Sequence, residues 1–132
     1  MTTVLEAFHP AVADWFRQSF EAPTRPQQLG WPVLVRNEST LILAPTGSGK
    51  TLTAFLHCID RLMFRPRPAT KGRCRVLYLS PIKALAVDVE RNLRAPIAGI
   101  ARVAQGRGET FHTPELLIRT GDTSQKERAR FG

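Results

Sequence analysis

The sequence predicts an α/β fold in which parallel strands are flanked by helices. Short, mainly apolar runs occur at residues 41–44, 76–79 and 115–119, and each has the length of a buried strand. Each run is followed by a turn and then by a stretch with helical features. Strand, helix and strand within about forty residues form a βαβ unit, which implies a parallel sheet with a right-handed crossover.

The length and composition are those of a single globular domain. The chain has 132 residues, of which 42% are hydrophobic, so it can bury a core. No apolar run approaches the length of a membrane span, and the first residues do not form a signal peptide. We therefore expect a soluble, cytoplasmic protein with no membrane partner. Cys58 and Cys74 are the only cysteines, so reduced thiols are expected.

The charge balance of the chain is basic. Nineteen Lys and Arg residues against eleven Asp and Glu residues give a net charge of +8. Such an excess favours a polyanionic partner, but many solvated protein surfaces are also basic. Charge alone therefore leaves nucleic-acid binding at about even odds.

Two helices are predicted before the first strand. Residues 10–20 place apolar side chains at helical spacing, which is typical of a packing helix. Thr24, followed three residues later by Gln27, forms a capping box that starts a second helix ending near Val35. A Gln amide can also pair with the N6 and N7 edge of adenine. On these residues alone, the capping role of Gln27 is favoured.

The turn after the first strand has the spacing of a phosphate-binding loop. Residues 44–51 have the sequence APTGSGKT, with Ala in place of the usual first Gly. Gly47 and Gly49 permit backbone angles that turn consecutive N–H groups towards a phosphate at a helix N-terminus. Lys50 can supply a cation for the β- and γ-phosphate oxygens, and the Thr51 hydroxyl can ligate Mg²⁺. An ordinary glycine-rich turn is the alternative, and phosphate binding is favoured because a strand precedes the turn and a helix follows it.

The later segments continue the alternation of helices and strands. A helix with a core-facing apolar stripe is predicted over residues 52–63, and the basic, Pro-rich residues 65–75 form a surface loop. A helix from residue 82 to about residue 94 follows the second strand. Pro96 and Gly99 then loosen the segment after it.

Three turns follow the carboxyl ends of the predicted strands, at residues 44–51, 80–85 and 120–125. In open α/β sheets that edge is where ligands bind, so the three turns are candidates together. Ser124 and Glu127 form a capping box that begins a last helix.

Taken in order, four elements resemble those of a superfamily-two helicase. They are Gln27, the APTGSGKT turn, SPIKAL at residues 80–85 and RTGDT at residues 119–123. The resemblance is strongest to the Lhr-type (large helicase-related) branch of the DEAD/DEAH-box group. It covers essentially the whole chain as the first part of a RecA-like P-loop NTPase domain. The P-loop is shared by many families, whereas SPIKAL followed by RTGDT is much more specific.

The resemblance implies a role for each element. Gln27 matches the Q-motif glutamine that recognises adenine, which is compatible with a capping role. Lys83 lies in motif Ia, which follows the nucleic-acid backbone, and Gly121 with Asp122 matches the TGD element, whose tight turn brings N–H groups to a phosphate.

The resemblance thereby gives two sets of candidate residues. The set for ATP comprises Gln27, Thr46, Gly47, Ser48, Gly49, Lys50 and Thr51. The set for nucleic acid comprises Pro81, Lys83, Ala84, Gly121 and Asp122. Lys50 and Thr51 are also the catalytic candidates, and Thr51 is the candidate Mg²⁺ ligand.

The resemblance also implies that half of an ATPase site lies outside this sequence. In the family, later strands carry the acidic Walker B motif and motif III, and a second RecA domain carries an arginine finger. Hydrolysis needs such groups to neutralise charge and to orient water. We therefore expect residues 1–132 to be the first part of helicase domain one, truncated before Walker B and inactive alone.

The resulting hypothesis is the ATP-binding and nucleic-acid-binding portion of an ATP-dependent DNA or RNA helicase or translocase. Its expected cofactors are ATP and Mg²⁺, and its expected partners are single-stranded DNA or RNA, contacted through the backbone, and the remainder of the helicase chain. One alternative is a truncated binding module that does not turn over ATP. Another is a different P-loop NTPase, such as a kinase or a transporter ATPase, in which the basic charge is incidental.

Overall fold

The computed structural model describes residues 3–45, 47–69 and 71–131, and in these ranges the chain forms five α-helices and two short 3-10 helices. The α-helices are α1 Pro10–Ser19, α2 Arg25–Val35, α3 Lys50–Phe64, α4 Lys83–Gly106 and α5 Gln125–Arg128. The 3-10 helices are Val4–Ala7 and Ala129–Phe131. None of the helices in the described ranges combines the length and the apolar character that crossing a membrane requires.

The core lies between two pairs of helices, with α2 packed against α3 and α1 packed against α4. Trp31 of α2 is fully buried at its centre and makes edge-to-face contacts with Phe8 and Phe16 at ring-centroid distances of 5.0 and 5.4 Å. Leu56 of α3 and Ile100 of α4 are also fully buried. Burial of these side chains stabilises the helical part of the molecule and sets the position of α3, whose first residue belongs to the phosphate-binding turn.

The predicted starts of α1 and α2 are confirmed. The apolar stripe of α1 buries Val12 and Phe16, as the helical spacing indicates. At the start of α2, the Thr24 N–H donates a hydrogen bond of 2.9 Å to Gln27 Oε1. Such a side-chain bond satisfies one of the backbone donors that a helix N-terminus leaves free.

The prediction that the chain loosens at Pro96 and Gly99 is wrong, because α4 runs without a break to Gly106. Pro96 is buried inside the helix. The indole of Trp15 in α1 lies so close to Gly99 that a side chain at this position would collide with it. Gly99 therefore permits α1 to approach α4, and this packing holds together a helix that local propensity alone would interrupt.

The predicted parallel strands are not seen, since no residue in the described ranges lies in a β-strand. In the runs at 41–44 and 76–79, which were expected to be buried, Leu41, Leu43 and Leu79 have exposed fractions of 82%, 84% and 80%. A strand is stable only when a neighbouring strand pairs with its main-chain N–H and C=O groups. The three runs do not pair with one another, so their apolar pattern alone does not produce a sheet.

Candidate functional site

The glycine-rich turn leads directly into α3. Gly47 and Gly49 both have left-handed backbone conformations, with φ values of 84° and 80°. The Ser48 N–H donates to the Pro45 carbonyl at 3.3 Å and closes the turn. α3 then begins at Lys50, so the free N–H groups of its first turn and its positive dipole end lie at this point. The helix predicted after the turn is confirmed, whereas the strand predicted before it is not seen in the described residues.

The turn has room for a phosphate. A Cβ added to Gly47 would meet no atom within 4 Å, and Lys50 and Thr51 are both exposed. Thr46, which was also predicted to contact nucleotide, lies outside the described residues. A cation, a hydroxyl and the free N–H groups at the start of α3 fit the phosphates of a nucleotide.

Metal binding at this turn would depend on few protein atoms. No group of three or more His, Cys, Asp or Glu side chains that could hold a metal ion occurs in the described part of the chain. The Thr51 hydroxyl fits Mg²⁺, which usually keeps several waters and takes further oxygens from a bound phosphate.

Gln27 joins the start of α2 to the phosphate-binding turn. Its side chain is only 3% exposed. While its Oε1 accepts the capping bond from Thr24, its Nε2 donates to the Gly49 carbonyl at 3.4 Å. The Thr53 hydroxyl donates to the same carbonyl at 2.7 Å. The capping role is therefore confirmed, and the contact with Gly49 is a second role that was not predicted from the sequence. A spacing of 22 residues gives no local signal for it.

Replacing Gly49 with Ala is expected to disturb both sides of this contact. A Cβ there would lie 2.7 Å from Gln27 Nε2 and 3.3 Å from Thr24 Oγ1, in addition to the cost of a positive φ. Gly72→Ala is the matched control, because Gly72 has a φ of 83° and open space around it. Both variants should lose about 1 kcal/mol of unfolding free energy from backbone strain, and Gly49→Ala should lose more.

Urea denaturation and the affinity for a fluorescent ATP analogue would measure this pair of variants. Nucleotide affinity should fall in Gly49→Ala and stay unchanged in Gly72→Ala. Equal losses of stability in the two variants would contradict the importance of the Gln27 contact.

The second and third turns meet each other at a separate place. Lys83, the first residue of α4, has its Nζ 2.9 Å from Asp122 Oδ2, although 39 residues separate them. A Cβ on Gly121 would lie 3.6 Å from Lys83 Cε, so the Lys83 side chain runs alongside this glycine. Pro81 and Ala84 are exposed next to Lys83. The sequence predicted that all three turns share the strand-end face of a sheet, and in the structure these two turns contact each other.

The structure thus groups the candidate residues in two clusters. Gln27 contacts the phosphate-binding turn, and Lys83 contacts the TGD turn. Within the described residues, no side-chain hydrogen bond or ion pair joins one cluster to the other. The side chains of Lys83 and Asp122 are 60% and 79% exposed, so this ion pair is open to solvent and to a ligand.

The TGD turn is held by its own threonines and by Arg128. The Thr120 N–H donates to Thr123 Oγ1 at 2.7 Å, and the Asp122 N–H donates to Thr120 Oγ1 at 3.2 Å. Arg128 Nε donates to the Thr123 carbonyl at 2.9 Å. Its Nη2 donates to the carbonyls of Thr120 and Gly121 at 3.3 and 3.1 Å. Arg128 is not among the site residues predicted from the sequence.

One sequence signal could have found Arg128. The predicted cap at Ser124 is confirmed, since its Oγ accepts a hydrogen bond from the Glu127 N–H at 3.2 Å. A helix that starts there turns back immediately after the TGD element. It thereby brings its fourth residue, Arg128, within reach of that element.

Comparison with known proteins shows to which family the chain belongs. The family model described as DEAD/DEAH box helicase matches residues 24–129. The chain is 50% identical over 131 residues to Lhr helicase/uracil glycosylase of Escherichia coli (strain K12), covering 95% of this chain and 8% of that protein. It is 41% identical over 126 residues to ATP-dependent helicase Lhr-Core of Methanothermobacter thermautotrophicus, covering 92% of this chain and 14% of that protein.

A solved structure is similar over nearly the whole chain. Helicase Lhr of Mycobacterium smegmatis bound to ssDNA and AMP-PNP superposes with a TM-score of 0.84 at 44% sequence identity. The match covers 98% of this chain and 16% of that one. The chain therefore spans a small part of the length of the relatives that it matches. The family match and this superposition together support a RecA-like fold.

Proposed function

The chain belongs to the DEAD/DEAH box helicase family, and from this premise we propose that it binds ATP and a nucleic-acid backbone as part of a longer, Lhr-type ATP-dependent helicase or translocase. The main observation in support of this proposal is the contact of Lys83 with Gly121 and Asp122. This contact places an exposed lysine beside a glycine-containing turn, and a lysine and a backbone N–H are groups that bind phosphates of a nucleic-acid backbone.

The nucleotide part of the proposal rests on the turn at the start of α3. Lys50 would hold the β- and γ-phosphate oxygens, and the N–H groups around Gly47 and Gly49 would surround the β-phosphate. Thr51 would ligate Mg²⁺, which supplies charge neutralisation to the phosphates when bound. Gln27 would recognise adenine with the one N–H and the one oxygen lone pair that its bonds to Thr24 and Gly49 leave free. The AMP-PNP bound to the similar M. smegmatis helicase supports a nucleotide at this site.

The nucleic-acid part rests on the second cluster. Lys83 is a flexible point charge suited to a phosphate, and the backbone N–H of Gly121 is a second donor beside it. The exposed positions of Pro81 and Ala84 extend the same surface along the start of α4. The ssDNA bound to the M. smegmatis helicase supports a single-stranded ligand. Contacts of this kind recognise the backbone and carry no base sequence information.

Turnover would require groups from the rest of the longer helicase. Phosphoryl transfer needs an acidic metal ligand, an oriented water and positive charge for the transition state. The proposal assigns those groups to later parts of the helicase and assigns ligand binding to the residues described above. A different kind of P-loop NTPase is less well supported, since the family match includes both the SPIKAL and the TGD segments.

Replacing Lys83 with Ala in the full-length helicase tests the nucleic-acid part. Single-strand affinity should fall by a similar factor on two unrelated sequences, because a phosphate contact is sequence-independent. The slope of log affinity against log salt should become shallower by about 0.7, the value for one phosphate contact on a single strand. A salt titration of binding measures both quantities.

Lys71→Ala is the matched control, since it removes one exposed lysine that belongs to neither cluster. It should leave the affinity and the salt slope nearly unchanged. An unchanged slope in Lys83→Ala, or a loss confined to one sequence, would contradict the proposed nucleic-acid site.

A further inference from the structure

Arg128 donates hydrogen bonds to three carbonyl groups of the TGD turn. Its Nε and Nη2 donate to the carbonyl oxygens of Thr120, Gly121 and Thr123 at distances between 2.9 and 3.3 Å. The side chain is half-buried, whereas Arg119 and Arg130 nearby in the chain are exposed. The guanidinium group of Arg128 therefore faces the turn itself, with two of its nitrogen atoms already used.

These hydrogen bonds fix the direction of the Gly121 N–H on the turn. In a planar trans peptide, the C=O and the N–H point in opposite directions. Because the Thr120 carbonyl points towards Arg128, the N–H of the same peptide, which belongs to Gly121, points away from it. No described residue accepts a hydrogen bond from this N–H.

The turn also fixes the position of Lys83. Gly121 lies alongside the Lys83 side chain, and Asp122 holds its Nζ at 2.9 Å. A rotation of the Gly121 peptide or of the Asp122 backbone would move both the Gly121 N–H and the Asp122 carboxylate that pairs with Lys83. The two phosphate donors of the second cluster therefore depend on the same few backbone angles.

We propose that Arg128 is a positioning residue for nucleic-acid binding. It holds the carbonyls of the TGD turn inward so that the Gly121 N–H and Lys83 together face a phosphate. It does not contact the phosphate itself. This inference rests on the proposed function and adds to it a residue outside the two candidate sets.

The alternative for Arg128 is a direct phosphate contact, and charge distinguishes the two roles. Arg128→Lys keeps the positive charge and loses the planar group that can bind several carbonyls together. A direct phosphate contact would survive this change with nearly normal affinity. A positioning role would not survive it, because one ammonium nitrogen cannot occupy the positions of both Nε and Nη2, from which the three hydrogen bonds are donated.

The test measures single-strand DNA binding by the full-length helicase and its variants. Arg128→Lys should weaken binding by at least about tenfold on two unrelated sequences, the effect expected of one lost hydrogen bond to a charged group. Its salt slope should remain that of the wild type, because the donor that is lost is the neutral Gly121 N–H, whereas the flexible, exposed side chain of Lys83 can still reach its phosphate. Arg130→Lys is the matched control, since Arg130 is exposed and pairs with Glu115 at 2.7 Å, and it should bind normally.

A second measurement separates positioning from a general structural role. In hydrogen exchange, ssDNA should protect the segment 120–123 in the wild type and protect it much less in Arg128→Lys. ATP-analogue affinity should be equal in both proteins. A loss of ATP-analogue affinity in Arg128→Lys, normal ssDNA binding by it, or a shallower salt slope would each overturn the inference.

The outcome for Lys83→Ala shows which proposal has failed. If Lys83→Ala weakens binding and Arg128→Lys does not, the nucleic-acid site stands and the positioning role of Arg128 is wrong. If neither variant weakens binding, the proposed nucleic-acid function itself is wrong.

Discussion

Lys50→Ala in the full-length helicase is expected to abolish ATP turnover. Lys50 is the first residue of α3 and directly follows Gly49, which has a positive φ. The proposed function assigns its ammonium group to the terminal phosphates. Without this cation, the charge that develops during phosphoryl transfer loses a fixed counter-charge. Loss of one such group in an active site typically lowers the turnover number by two to three orders of magnitude, roughly.

The measurement is ssDNA-stimulated phosphate release at saturating ATP. Lys71→Ala, which removes an exposed lysine from the surface loop, should keep the wild-type rate. Lys50→Ala should also keep its ssDNA affinity in the absence of nucleotide, because Lys83 and the TGD turn form a separate cluster. Near-normal ATP hydrolysis by Lys50→Ala would remove Lys50 from the mechanism.

Local signals in the sequence predicted the local structure well. The bond between Thr24 and Gln27 spans three residues, and the cap at Ser124 likewise spans three. Interactions of such short range are decided by neighbouring residue types, so their patterns can be recognised directly. The glycines before Lys50 are a similar case, because glycine permits the positive φ that such a turn needs.

Contacts between distant segments were predicted less well. The helix α4 continues beyond Pro96 because Trp15 packs on Gly99, a contact that spacing along the chain does not reveal. The same holds for Gln27 with Gly49. For the second cluster, the residue types Lys83 and Asp122 were predicted, but their ion pair was not.

The predicted strands, which the described residues do not form, show what an apolar sequence pattern alone cannot predict. A run such as 41–44 predicts a segment that would be stable when buried, but burial requires neighbours that form hydrogen bonds with it. The helices α1 to α4 satisfy their backbone groups internally and need only side-chain packing, so they form within this chain. We propose that later parts of the longer helicase supply the neighbouring strands of a parallel sheet.

This difference predicts a large contrast in amide exchange within the 132-residue polypeptide. Amides at 41–44 should exchange at nearly the rate of an unfolded chain, since Leu41 and Leu43 are 82% and 84% exposed and no described strand pairs with them. Amides of Leu56 and Ile59 in α3 should exchange much more slowly, because both side chains are buried in the core. Local opening that costs about 3 kcal/mol corresponds to protection by about two orders of magnitude.

The same segment in the full-length helicase serves as the control. There, residues 41–44 should be protected as strongly as α3, because the proposed neighbouring strands would bind their N–H and C=O groups. Hydrogen exchange followed by mass spectrometry can compare the same peptides in both proteins. Strong protection of 41–44 in the 132-residue polypeptide would show that these residues already have strand partners within it. The sheet would then be a property of this chain, and the proposed dependence on later segments would be wrong.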